Sequence, residues 1–138
     1  MDVEQHQTER TLVDPAREPY EAERREAGLV TAYVEHLRLL GHNVGRQRIT
    51  PPGELKPLYT DLFDHTDGVL IEAKGSVTRE AIRMAVGQLL DYRRHIDPRP
   101  ALAVLVPSRP RQDLLDLCTD VKITVIWPDG DAYATWTS

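Results

Sequence analysis

Apolar residues recur at helical spacing through Leu29, Val30, Tyr33, Val34, Leu37 and Leu40, with Gly41 next as a left-handed stop. This pattern predicts a first helix over residues 19–40. An alternating strand at 43–50 and a Pro-Pro-Gly turn follow, and then two strands joined at Asp67-Gly68. A second helix is predicted over 79–96, with Thr78 or Ser76 as its cap and Ile82, Ala85, Val86 and Leu89 as its inner stripe. Gly87 lies inside that helix, where it costs about 1 kcal/mol, and close packing against a neighbouring backbone would account for it. The apolar run 101–107 reads as a fully buried strand. A helix at 110–120, a strand at 122–127, a turn at Asp129-Gly130 and an edge strand at 133–137 complete the chain. Residues 1–18 are polar, aperiodic and interrupted by Pro15, so they read as a flexible lead or linker, leaving one domain at 19–138. The expected fold is α/β: an open mixed sheet with helices on both faces.

The hairpin carries the unusual residues. Asp67-Gly68 suits a two-residue type I′ turn, which would set Thr66 opposite Val69, Phe63 opposite Glu72 and Asp61 opposite Lys74. Side chains alternate along a strand and opposite partners share a face, so Asp61, Glu72 and Lys74 form one patch. Two carboxylates and an ammonium then sit among Leu, Ile, Val and Phe, where an unpaired charge costs several kcal/mol. A divalent cation would explain them; a salt bridge between facing Asp61 and Lys74 is the plainer alternative. Asp64 competes with Asp61, because a three-residue loop would flip the parity and turn Asp64 to that face.

Composition narrows the classes. The chain has 138 residues and 41% hydrophobic residues, and no run reaches the ~18 apolar residues of a membrane helix. No apolar segment of the secretory kind follows the N-terminus, and Cys118 is the only cysteine, so a reducing cytoplasmic setting is expected. The five histidines and one cysteine have no zinc spacing, and Walker A, Gly-x-Ser-x-Gly and Gly-x-Gly-x-x-Gly motifs are missing. The net charge is −5, with nine acids and four bases in residues 1–35 and 13 of each afterwards. A neutral body argues against strong free-standing nucleic-acid affinity.

Asp61 followed by Glu72-Ala73-Lys74 resembles the metal-binding signature of the PD-(D/E)xK nuclease superfamily, in which an Asp on one strand precedes Glu-x-Lys on the next. Gln88-Leu-Leu-Asp-Tyr92 is similar to the Gln-x-x-x-Tyr element of the helicase-associated exonuclease branch. Thr60 stands where the signature often has Pro. The resemblance covers roughly residues 26–127. It implies a three-layer restriction-endonuclease-like core, a mixed β-sheet flanked by helices in the order α-β-β-β-α-β-α-β(-β). It also implies a Mg²⁺-dependent deoxyribonuclease, with Mn²⁺ able to substitute, acting in restriction, phage defence or DNA repair.

By that resemblance Asp61, Glu72 and the Ala73 backbone carbonyl hold the metal, Glu26 of the first helix is a further acid, and Lys74 completes the catalytic set. Gln88 and Tyr92, four apart on one helix face, would hold Lys74 or a phosphate. Arg79, just after the motif strand, is a candidate phosphate ligand. Arg83, Arg93 and Arg94 read as solvated helix positions, and Arg46 and Arg48 as a basic rim. Trp127 and Trp136 read as packing residues. DNA is the favoured partner, with specificity left to a homodimer or another domain. An RNase or structure-specific resolvase on the same scaffold, or an inactive interaction module, are the alternatives.

Overall fold

A computed structural model describes residues 18–137; the expected flexible lead lies outside the described residues, apart from Glu18 at the start of the first helix. In chain order the elements are α1 (Glu18–Leu39), β1 (Val44–Gly45), β2 (Arg48–Ile49), β3 (Leu58–Tyr59), β4 (Leu62–Asp64), β5 (Val69–Ala73), α2 (Arg79–Arg93), β6 (Ala101–Leu105), α3 (Gln112–Asp120), β7 (Ile123–Asp129) and β8 (Ala132–Trp136). The fold is α/β. Six strands form one mixed sheet in the order β1-β4-β5-β6-β7-β8, while β2 and β3 make a separate two-stranded ribbon.

The connections explain the layers. Strands β5, β6 and β7 run parallel, and helices α2 and α3 are their crossovers. Both crossovers step the same way across the sheet, so a common handedness puts both helices on one face. There Ile82, Ala85, Leu89, Leu114, Leu115 and Cys118 pack on Phe63, Leu70, Leu102 and Val104. The other face is left to α1, whose Tyr33 and Leu37 meet Leu62, Ile71, Ala103 and Leu105. Trp127 and Trp136 pack against the α2–α3 side as expected, with the Trp136 indole N–H donating to Thr119 Oγ1 at 3.0 Å.

Helix ends follow the sequence. Gly41 is left-handed (φ 86°), and the Gly41 and His42 amides close α1 onto the carbonyls of Arg38 and Leu37 at 2.9 and 3.0 Å. Thr78 caps α2, its hydroxyl accepting from the Ala81 amide at 3.2 Å.

Four expectations need correction. The strand at 43–50 is broken into β1 and β2, which join different sheets. Thr60 is the cause: fully buried, it accepts from the Gln47 amide through Oγ1 at 2.9 Å and donates its own amide to the Gln47 carbonyl at 3.0 Å. The hairpin strand before Asp67 is likewise broken, between β3 and β4, at Thr60-Asp61.

The hairpin register also differs: Asp64 pairs with Val69 and Leu62 with Ile71, so the loop has four residues, His65 to Gly68. Only Gly68 takes a positive φ (68°), because Asp64 organises the loop, its Oδ1 accepting from the Thr66 and Asp67 amides at 3.0 and 3.4 Å. A two-residue slip preserves parity, so Asp61 stays on the face of Glu72, which it now opposes in place of Lys74. Finally, a Cβ at Gly87 would meet nothing within 4 Å; the closely packed glycine is Gly75, where a Cβ would lie 1.9 Å from the Ala22 carbonyl oxygen.

Candidate active site

The break at Thr60-Asp61 creates the site. Asp61 precedes β4 and has left the backbone ladder, so its amide donates to Glu72 Oε1 at 3.3 Å. Its own Oδ2 accepts from the Ala73 amide at 3.0 Å. In an extended strand the N–H and C=O of one residue point to the same edge. The Ala73 carbonyl therefore faces the side on which Asp61 lies. The Lys74 amide points the other way and donates to the Leu105 carbonyl at 2.9 Å, which anchors the motif strand to β6.

Glu72 is the anomaly of the sheet. It sits in a central strand at 2% exposure. Burial, the Asp61 charge and a hydrogen bond between the two carboxyl groups push its pKa up to about 8, against the opposing pull of the Asp61 amide and Lys74. A bound cation would take the place of the proton that this environment keeps on Glu72. Lys74 makes no ion pair with any carboxylate among the described residues, so the Asp61–Lys74 salt bridge considered above is not formed. The donor set of two carboxylates and a carbonyl is all oxygen, which suits a hard cation such as Mg²⁺ or Mn²⁺.

Three further residues surround the pair. Glu26, half-buried on α1, has its pKa raised by burial and then by Asp61, while Lys74 lowers it. Its carboxylate is not drawn into a three-acid cluster with Asp61 and Glu72; among the described residues only His42, Asp64 and Asp67 bring three such ligand atoms within 4.8 Å of one another. Tyr92 has its phenol pKa raised by burial and then by the Glu72 charge, against a hydrogen bond from Gln88. Gln88 Oε1 is itself buried with no hydrogen-bond partner among the described residues. Gln88 and Tyr92 thus wall the Glu72 side from α2. Arg79 does not join them: it pairs with Asp113 of α3, whose carboxyl pKa it lowers. Arg94 pairs with Asp91 at 2.5 Å.

Outside this core a cleft of about 390 Å³ runs between α1 and the strand break, lined by Glu23, Glu26, Val30, Arg46 and Asp61. Helix α1 is docked there by Gly75, which lets the Ala22 backbone close in, and by Arg25, whose Nε–H donates to the Gly75 carbonyl at 2.8 Å. The sequence pointed to no role for Gly75 and only to a basic rim for Arg46. A glycine directly after Glu-x-Lys was the signal available for Gly75; nothing local marked Arg46.

Asp64 is turned away. Its Oδ2 lies 2.7 Å from His42 Nδ1, and Asp67 Oδ2 lies 3.9 Å from the same nitrogen. This trio can hold a cation geometrically, yet both Asp64 oxygens already serve the loop and the α1 terminus. The hydrogen bond that the Asp64 carboxylate accepts from His42 Nδ1 raises the His42 pKa.

The raised groups set a pH dependence. Glu72 keeps a proton in the folded state that the unfolded chain releases, so its stabilising contribution is full below its ordinary 4.5 and is lost as pH rises through about 8. His42, also raised, contributes below its ordinary 6.5 and loses that contribution at higher pH. Melting of the metal-free protein, followed by circular dichroism, is expected to occur at falling temperature from about pH 5 to about pH 9. Glu72→Gln should flatten most of that slope; a melting temperature rising over this range would contradict the assignment.

Compared with protein-family models, curated proteins and solved structures, the chain matches none. Among the described residues no helix is long and apolar enough to cross a membrane.

Proposed function

We propose that this chain is a metal-dependent nuclease domain with a restriction-endonuclease-like core, hydrolysing phosphodiester bonds in DNA. One observation carries the reading: a buried glutamate in a central strand shares its surroundings with an aspartate at a strand break, and among the described residues no cationic side chain forms an ion pair with either. A structural role would favour a paired or apolar residue at that position. The helices on both faces of a mixed sheet are compatible with the same core.

Asp61, Glu72 and the Ala73 carbonyl are the residues that would hold Mg²⁺. When bound, the ion supplies Lewis-acid polarisation of a phosphoryl oxygen and a more acidic water. Burial of Glu72 excludes bulk solvent from the acids' inner side, which strengthens every charge interaction there. Lys74, which makes no ion pair among the described residues, would present an ammonium to the negative charge that builds on the phosphorus oxygens. The orphaned Gln88 Oε1 is an acceptor suited to orient that ammonium, and Tyr92 closes the same wall.

Incubating the protein with supercoiled plasmid, linear duplex, single-stranded DNA and RNA, in Mg²⁺, Mn²⁺ or EDTA, tests the reading. Cleavage of DNA that requires the divalent ion is expected. Binding of the ion without cleavage of any substrate would replace the nuclease with an inactive module.

A further inference from the structure

We infer that Arg46 is a phosphate-binding residue, which grips the nucleic-acid backbone as it enters the cleft beside Asp61; this rests on the nuclease reading above. Arg46 falls in the gap between β1 and β2, created by the Thr60 clamp on Gln47. Its Nε–H donates to the Thr60 carbonyl at 2.9 Å, and its guanidinium lies 5.2 Å from the Tyr59 ring centroid. Thr60 directly precedes Asp61, so the arginine is fixed to the two residues that lead into the acid. Its side chain lines the cleft together with Asp61 and Glu26.

The pairing pattern is the informative part. An exposed arginine near several acids ordinarily drifts into an ion pair, as Arg79 and Arg94 do. Arg46 makes none among the described residues, and only its Nε–H is used. A backbone carbonyl and an aromatic face hold it, and neither neutralises its charge. The terminal N–H groups of the fork are left for an anion, in a rotamer already fixed before the anion arrives. Planar, doubly donating recognition of this kind suits the two free oxygens of a phosphodiester. Tyr59, half-exposed at 50%, supports the arginine with one ring face.

The test is binding of a fluorescently labelled single-stranded oligodeoxynucleotide, and of its duplex, followed by anisotropy in EDTA over a salt series. Arg46→Met, which keeps the aliphatic stem, is expected to weaken binding about tenfold, the worth of one charge-assisted contact. It should also lower the salt slope by about one. Arg46→Lys should restore the slope but not the affinity, because the ammonium lacks the fork, and Tyr59→Leu should weaken binding severalfold. Melting temperatures measured alongside separate these effects from unfolding. Unchanged affinity and slope in Arg46→Met, or no binding by the wild type, would overturn the assignment. The nuclease reading is judged separately by cleavage in Mg²⁺: Arg46-dependent binding without cleavage keeps this inference and removes that reading. Cleavage with Arg46-independent binding does the reverse.

Discussion

Lys74→Ala is expected to reduce Mg²⁺-dependent cleavage by at least about a hundredfold, the usual cost of one preorganised electrostatic contact to a transition state, while metal binding persists. Lys74 makes no ion pair among the described residues, so its removal breaks no described salt bridge. Asp61→Asn should lose metal affinity and cleavage together, since the amide keeps the shape but not the charge. Lys74→Arg should remain poor, because a planar fork does not reproduce a compact ammonium in a confined space. Calorimetric Mn²⁺ titration beside a cleavage time course separates the variants. Full cleavage by Lys74→Ala would remove the lysine from the mechanism.

A second large effect is expected at Gly75. A Cβ there would lie 1.9 Å from the Ala22 carbonyl oxygen and 2.7 Å from its carbon, both backbone atoms that cannot rotate away. Gly75→Ala therefore has to push the start of α1 off the motif strand. A loss of about 1–3 kcal/mol is expected, typical of overpacking against a fixed neighbour. The Arg25–Gly75 hydrogen bond goes with it, and Glu26 moves out of the field of Asp61 and Lys74. Denaturant unfolding of Gly75→Ala, with Gly87→Ala as the comparison, measures this. Gly87 has open space, so alanine there should be neutral or stabilising by up to about 1 kcal/mol. Equal stability of the two variants would show that the close approach is not used.

The contrast between those glycines shows what was legible in the sequence. Helix periodicity, the Gly41 stop and the Thr78 cap are local signals, and they located α1 and α2 to within a few residues. The strand breaks were not legible, because they depend on Thr60 meeting Gln47, a pairing 13 residues apart in the chain. The register was wrong by two because Asp64 spends its side chain on the loop amides, which lengthens the turn from two residues to four. Parity still put Asp61 and Glu72 together, since the error was an even number. Gly75 and Arg46 act through contacts across the fold that no window of the sequence contains.

In the proposed site Asp61 and Glu72 hold the cation together. Locating Mn²⁺ by its anomalous scattering in crystals grown near neutral pH tests this most directly. A peak is expected between the Asp61 and Glu72 carboxylates, beside the Ala73 carbonyl, with its loss in Asp61→Asn. A peak only at His42, Asp64 and Asp67, or none at saturating Mn²⁺, would contradict it.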